Sequence, residues 1–413
     1  MIFLVLLAVG SIFATWHLIT TIYSSEQTET SSLEDGEDGV YIVIPSCNDE
    51  NLGETLPKWL AQKYNNYKVA VVEDCADNGI AETYGLRYVG DLKTSRRIKV
   101  YAGEKLLLLV RDGRHGLKGG ALNDAIRALI ALNPLRNPRY VVFIDSDHEP
   151  PDPWFIARAV SAIKRLGADL VQGVQRHLYL GSALDALVSL SHDISGTMLV
   201  GRSKLNLMPI FTGSTAIARL EPVTRLWFSE DTVTEDLDLS VRMWLNGYTI
   251  AATWSFYTWG RPPRNIKSFF KQQLRWSSGT IRVFTRYFKQ VLKSDMPLGR
   301  KIDFIFQGTV FATSALYITI VIFIIYKVIT GIYFSIYELI LMFYLLIVGL
   351  TIDLYVEAKH NTPVRPHILP PFIEFATAFV HLAGTLLGLM GREYGWIRTQ
   401  RKQTNVLSHS PSS

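Results

Sequence analysis

The chain has 413 residues, is 48% hydrophobic and carries a formal charge of +5. That length accommodates one sizeable soluble domain beside a separate membrane portion. Nucleic acid is excluded as the expected partner, because Lys and Arg are spread through residues 58 to 301 and no nucleic-acid motif occurs. A basic face beside a membrane suits anionic head groups or phosphorylated substrates instead. Cys47 and Cys75 are the only cysteines. Two make no disulfide framework, so both are expected to be unpaired, packed or inert on a reducing cytosolic face.

Residues 2 to 22 carry no formal charge and are long enough to span a bilayer. They lack a basic n-region and an A-x-A-like cleavage site, which predicts an uncleaved anchor over 1–23. A polar, acidic stretch over 24–39 reads as a linker. Val40 to Ile44 then predicts a first strand ended by Pro45, with a helix from near Leu52. Tyr67 to Val72 and Leu106 to Val110 predict two more strands, and Gly116 to Ala131 a Gly-rich turn entering a helix. Tyr140 to Ile144, β-branched and aromatic between Asn137-Pro138 and Pro150-Pro151, predicts a buried strand. Strands alternating with helices imply an α/β fold, a parallel sheet with crossover helices over about 40–175. Fold alone gives no function.

The chemistry sits at strand and helix ends. Asp145-Ser146-Asp147-His148 follows the Tyr140 strand, where open α/β sheets place their ligands. Two carboxylates held this close repel unless a cation lies between them. Hard oxygen ligands in an incomplete shell suit Mg²⁺ or Mn²⁺, with open positions for substrate phosphates. Asp74 ends the second strand, placed to accept hydrogen bonds from a base or ribose, or to close a turn. Within residues 114–123, Lys118 offers a point charge to a diphosphate among glycines that let the backbone come close. Thr234-Glu235-Asp236 opens a helix marked by Leu237, Val241 and Trp244. Either Glu235 or Asp236 suits a base for a sugar hydroxyl, and residue chemistry alone leaves both open. Gln272, Arg275 and Trp276 share one helical face: an amide, a guanidinium and an indole plate.

The remaining elements concern the membrane. Phe284, Tyr287, Phe288, Val291 and Leu292 form one stripe, which predicts an amphipathic helix over 281–303 lying flat at the cytosolic surface. Residues 304 to 356 hold two spans with a turn near Gly331, and 371 to 390 another, giving a membrane region over 304–392. The tail, 393–413, reads as basic and interfacial. Glu338, Glu374 and His381 fall within the apolar runs and are candidates for lining a path.

Together these residues resemble the membrane-embedded family-2 glycosyltransferases, such as cellulose, mannan and hyaluronan synthases, over residues 41 to 280 and the flanking spans. The resemblance implies a GT-A type nucleotide-sugar-binding domain over 40–280, with a mixed, mostly parallel sheet. Ile44 to Glu50 is similar to the family's opening motif, and Asp74 stands for its nucleotide-contacting aspartate. Donor-binding roles then fall to Pro45, Glu50, Asp74, Lys118, Gly119, Asp145 and Arg275. Asp145 and Asp147 match the metal-binding DxD, with His148 adding a contact to Mg²⁺ or Mn²⁺. Asp236 takes the role of catalytic base with Glu235 beside it. Phe211 to Thr215 resembles the loop beneath the acceptor, so Gly213, Ser214, Gln272 and Trp276 are expected to bind acceptor. Gln272, Arg275 and Trp276 also match the QxxRW signature.

The implied reaction is inverting transfer from a UDP- or GDP-linked sugar to a growing polysaccharide, forming a β-glycosidic bond at the membrane. Single transfer to a lipid acceptor, as in ceramide glucosyltransferases, is the alternative within catalysis, and a dead membrane scaffold the one outside it. Two departures are expected: no long soluble module after the last span, and no FxVTxKG-like gating segment. Nucleotide sugars are cytosolic, so the catalytic domain is expected there as part of an integral membrane protein. Three C-terminal spans would then leave the tail outside, against the positive charge of Arg392, Arg398, Arg401 and Lys402. A re-entrant segment would reconcile the two.

Overall fold

The structure, a computed structural model, describes residues 1–24, 37–75, 79–94, 96–362, 369–395 and 399–402. Most of the acidic linker and much of the basic tail lie outside the described residues. Helix α1 (Ile2–Ile22) precedes β1 (Gly39–Ser46), α2 (Leu52–Leu60), β2 (Tyr67–Glu73) and the short α3 (Ile80–Thr83). A hairpin of β3 (Arg87–Lys93) and β4 (Arg97–Ala102) leads to β5 (Leu106–Arg111), α4 (Leu117–Leu132) and β6 (Pro138–Phe143). Then come α5 (Phe155–Leu166), β7 (Leu170–His177), α6 (Ala183–Lys204), β8 (Ala216–Arg219) and α7 (Leu220–Leu226). The catalytic half closes with α8 (Glu235–Leu245), β9 (Ile250–Gly260), α9 (Ile266–Lys293) and α10 (Leu298–Gly308). Three helices follow: α11 (Thr313–Thr330), α12 (Ile336–His360) and α13 (Leu369–Leu389).

The nine strands among the described residues form one sheet in the order β3-β4-β5-β2-β1-β6-β8-β7-β9. Only β4 and β8 run against the rest, so the sheet is mixed and mostly parallel. The apolar runs explain why these segments become central strands. On β1, Tyr41 and Val43 join one core while Val40, Ile42 and Ile44 join the other, so both faces are dry. β6 does the same with Val141 and Phe143 against Tyr140 and Val142. Each such side chain contributes about 1.5–3 kcal/mol on burial. The chain runs outward from β1 to the β3–β4 hairpin and then returns to β6 on the other side of β1. That switch point opens a crevice at the carboxyl ends of β1 and β6.

Two expectations need correction here. Cys47 and Cys75 are joined by a disulfide, their Cα atoms 4.9 Å apart. The parallel pairing of Ser46 with Glu73 brings the residues just beyond each strand side by side, although 28 positions separate them in sequence. The apolar stripe after the QxxRW segment is no separate surface helix. It continues α9 and faces inward, with Tyr287 and Val291 buried in the core beside Phe304. Periodicity marks an apolar face but not whether protein or lipid covers it.

Among the described residues four helices, α1, α11, α12 and Phe372–Leu389 of α13, are long and apolar enough to cross a membrane. They differ in what holds their ends. The end of α12 is fixed to the catalytic half: Arg176 donates to His360 O at 2.8 Å and Thr362 Oγ1 to Asp193 at 2.6 Å. Helix α13 starts there too, with Ile373 against Phe269 and Leu184. It ends there as well, with Glu393 accepting from Thr232 Oγ1 at 2.7 Å and Val233 N at 2.9 Å. Between these ends α13 runs along α9. A Cβ on Gly384 would fall 1.9 Å from Ser277 Oγ, and one on Gly388 2.4 Å from Ser278 O, so only glycine permits this approach. Glu338 completes the capping box of α12 by accepting the Ser335 N–H at 2.8 Å and pairs with Lys327 at 2.7 Å, and His381 bonds Gln273 at 2.9 Å. Both have structural partners.

Candidate active site

A cavity of about 360 Å³ opens at the carboxyl ends of β1 and β6. Its wall includes Pro45, Asp74, Lys118, Asp145, Asp147, His148, Gly213, Glu235, Asp236, Gln272, Arg275 and Trp276. Residues more than two hundred positions apart therefore meet in one place. Three expected contacts do not line it. Glu50 is exposed, and Asp49 takes the wall position, accepting from Ser146 Oγ at 2.6 Å. Gly119 is a packing glycine whose Cβ would fall 2.3 Å from Ser229 O. Ser214 is fully buried, and its Oγ accepts the Asp145 N–H at 2.9 Å. Ser214 thus positions the DxD turn from below.

That turn is pinned from several sides. His148 N–H donates to Asp145 O at 3.0 Å, Trp59 Nε1 to His148 O at 2.9 Å and Thr55 Oγ1 to Ser146 O at 2.8 Å. His148 Nδ1 lies 2.8 Å from Thr258 Oγ1. Ligand atoms of Asp145, Asp147 and His148 all fall within 4.8 Å of one another. Asp147 Oδ2 is buried, and the charged group beside it is the Arg401 guanidinium, with Nε 2.9 Å away but not aligned as a hydrogen bond. Two carboxylates and an imidazole brought this close form a donor set that fits a hard divalent cation such as Mg²⁺ or Mn²⁺.

Lys118 ties the acidic groups together from the first turn of α4. Its Nζ lies 2.5 Å from Asp145 Oδ1, donates to Gly213 O at 2.9 Å and stands 3.8 Å from Glu235 Oε1. Burial pushes the Asp145 carboxyl up, yet Lys118 and His148 bring it below the usual aspartate range. Burial pushes Glu235 up to about 7 against the pull of Lys118. Asp236 is raised by the same cause, opposed by Lys118 and by the Leu237 N–H. That N–H donates to Asp236 Oδ1 at 2.8 Å. Asp236 Oδ2 lies over Gly213, which has φ +85° and where a Cβ would come within 2.8 Å of it. Thr234, the residue before α8, makes no side-chain cap, and Asp236 satisfies a first-turn N–H of that helix with one oxygen only.

Beyond Asp74, Arg111 forms a buried bridge, pairing with Asp74 and, through Nε, with Asp124 at 3.0 Å. Arg275 Nε is buried without a hydrogen-bond partner. A guanidinium so placed suits an anionic group arriving in the cavity.

Sequence reasoning missed a second set of wall residues. Thr399 and Arg401 line the cavity from the C-terminal tail, with Arg401 Nε 2.9 Å from Asp147 Oδ2. Lys402 pairs with Asp185 at 2.8 Å, and the Arg401 backbone forms an isolated antiparallel bridge with Pro263. The described tail residues therefore dock on the sheet-bearing half and reach the cavity wall. The tail had read as basic and interfacial, but Arg401 and Lys402 pair with carboxylates. His177, His192 and Gln175 also line the wall. A lone histidine at a strand end carries no pattern that would have found it.

The chain matches two family models, Glycosyl transferase family group 2 over residues 140–352 and Glycosyl transferase family 2 over residues 41–227. Among curated relatives, glucomannan 4-beta-mannosyltransferase 7 of Arabidopsis thaliana is 27% identical over 198 residues, covering 47% of this chain and 34% of its own length. Glucomannan 4-beta-mannosyltransferase 1 of Oryza sativa subsp. japonica is 26% identical over 325 residues, covering 76% of this chain and 60% of its own length. The chain thus spans between 34% and 60% of these relatives. The mannosyltransferase PcManGT from Pyrobaculum calidifontis, solved with GDP-Man and Mn²⁺, shares the fold with a TM-score of 0.64 at 17% identity. That likeness covers 95% of this chain and 99% of that one.

Proposed function

The chain belongs to glycosyltransferase family 2, and on that premise we propose that it transfers a sugar, with inversion, from a nucleotide-sugar donor to a growing polysaccharide. The observation that carries this reading is the convergence of Asp145, Asp147, Lys118, Asp236 and Arg275 on one cavity. The relatives' names favour mannose as the sugar and a β-linked product, and the GDP-Man bound by PcManGT makes GDP the nucleotide to test first.

Asp145, Asp147 and His148 would hold the divalent cation, which supplies positive charge to the donor diphosphate. Arg275, with its bare Nε, adds charge on the same leaving group. Lys118 keeps Asp145 ionised. Asp236 accepts the proton of the acceptor hydroxyl as that oxygen bonds to the anomeric carbon and the bond to the diphosphate breaks. The indole of Trp276 offers a plate for the acceptor ring, with Gln272 beside it. In purified protein supplied with Mn²⁺, GDP-mannose is expected to be consumed in preference to UDP-glucose and to yield a ladder of products. A single sugar added to lipid, with no ladder, sinks the polysaccharide reading and leaves the lipid-acceptor alternative.

For the membrane, the reading is that α1, α11 and α12 cross while α13 lies along α9 at the interface. The support is that both ends of α13 are tied to the catalytic half. The tail then lies on the donor side, as its positive charge favours. A reporter fused after residue 413 is expected to share the compartment of one inserted in the β3–β4 turn. Opposite compartments would restore a fourth crossing. The Cys47–Cys75 bridge sits within this donor-side half, and such bridges are rare in a reducing cytosol outside hyperthermophiles.

A further inference from the structure

We propose that His177 and His192 form the part of the acceptor subsite that recognises the hydroxyls of a neutral sugar, so that the acceptor is a glycan end and not a phosphorylated lipid. This rests on the glycosyltransferase reading of the same cavity. His177 ends β7 and is 2% exposed, and neither Nδ1 nor Nε2 has a hydrogen-bond partner. Buried polar atoms are almost always paired, so two orphaned nitrogens on a cavity wall call for a partner from outside the protein. The ring of His192, projecting from α6, lies 3.8 Å from that of His177, centroid to centroid. It is 6.0 Å from Trp276, while His177 meets His148 edge-on at 5.7 Å.

The chemistry selects the ligand. A neutral imidazole presents one donor and one acceptor nitrogen, the pairing a sugar hydroxyl needs. Gln272, 4% exposed on the same wall, has no side-chain hydrogen bond among the described residues and adds an amide of both characters. A metal is disfavoured because no carboxylate or further ligand joins the two tilted rings in a ligating group among the described residues. A phosphate at this pair is disfavoured because, of the arginines on the wall near it, Arg401 is paired with Asp147 at 2.9 Å and Arg275, with its bare Nε, is assigned to the donor diphosphate. What remains is an uncharged polyol resting against an indole plate.

The test uses the full-length protein with GDP-mannose and soluble β-linked mannotetraose. His177→Ala is expected to raise the acceptor KM tenfold or more while the donor KM moves less than twofold. His177→Gln, which keeps a donor and an acceptor in similar volume, is expected to recover most of that loss. Polyprenyl phosphate is expected not to compete with mannotetraose in the wild-type protein. An unchanged acceptor KM in folded His177→Ala overturns the proposal, as does competition by polyprenyl phosphate. Should His177→Ala fail to fold, His192→Ala with unchanged acceptor KM overturns it equally. If the wild-type protein consumes no nucleotide sugar at all, it is the underlying glycosyltransferase reading that has failed.

Discussion

Asp236→Asn is expected to lower kcat by about 10²–10⁴-fold, the usual worth of a positioned general base. Donor affinity should change little, because Asp145, Asp147, Lys118 and Arg275 stay in place. The choice of Asp236 over Glu235 rests on how each is held. Glu235 is 4% exposed and burial pushes it up to about 7, so much of it is protonated at neutral pH. Asp236 is less buried, with one oxygen fixed by the Leu237 N–H and the other over Gly213, facing the cavity. Burial also raises Asp236 above an ordinary aspartate. The sign follows: a base works only when deprotonated, so kcat/KM should fall on acidification at a higher pH than an exposed aspartate would give. Full turnover in Asp236→Asn, or a Glu235→Gln variant that loses more, would reassign the base.

Much of this site was legible because its residues sit at the ends of strands that announce themselves. Tyr140 to Ile144 and Val40 to Ile44 are apolar enough to be buried on both faces, so the acids that follow them had to open on a sheet edge. The signal was weaker where strands are exposed. β3 is largely solvent-facing, although β4 alternates with Ile98 and Val100 inward, a period that was present and went unread. The Cys47–Cys75 bridge follows from strand order, since each cysteine lies just beyond one of two adjacent parallel strands. Strand order is not written in local pattern. Arg401, His177 and His192 were invisible for a related reason: their meaning comes only from partners hundreds of positions away or from partners they lack.

Lys118→Met is expected to be the most damaging change to the electrostatics of the cavity. The ammonium lies within 3.8 Å of both Asp145 and Glu235, and it lowers Asp236 as well. Without it three acids share a partly dry space, and each is easier to protonate than to leave charged. Loss of such a preorganised charge typically costs about 10²–10³-fold in rate. The acidic limb of kcat/KM should also move to higher pH, because Asp236 loses the charge that holds it down. Breaking a fully buried pair costs about 3–5 kcal/mol, and the penalty here should be smaller because the Asp145 side chain is 31% exposed. Its pH dependence has a definite sign. Raised carboxyl pKa values mean that the folded state binds protons more tightly than the unfolded one. The variant should therefore lose stability as pH rises through those values, so its melting temperature falls further below wild type at pH 8 than at pH 5. Lys118→Arg, which keeps the charge, should restore the profile more fully than the fold of the cavity allows for Met. A pH–rate profile in Lys118→Met that superimposes on wild type would mean that this lysine only packs, and that Asp145 and Asp236 are held ionised by something else.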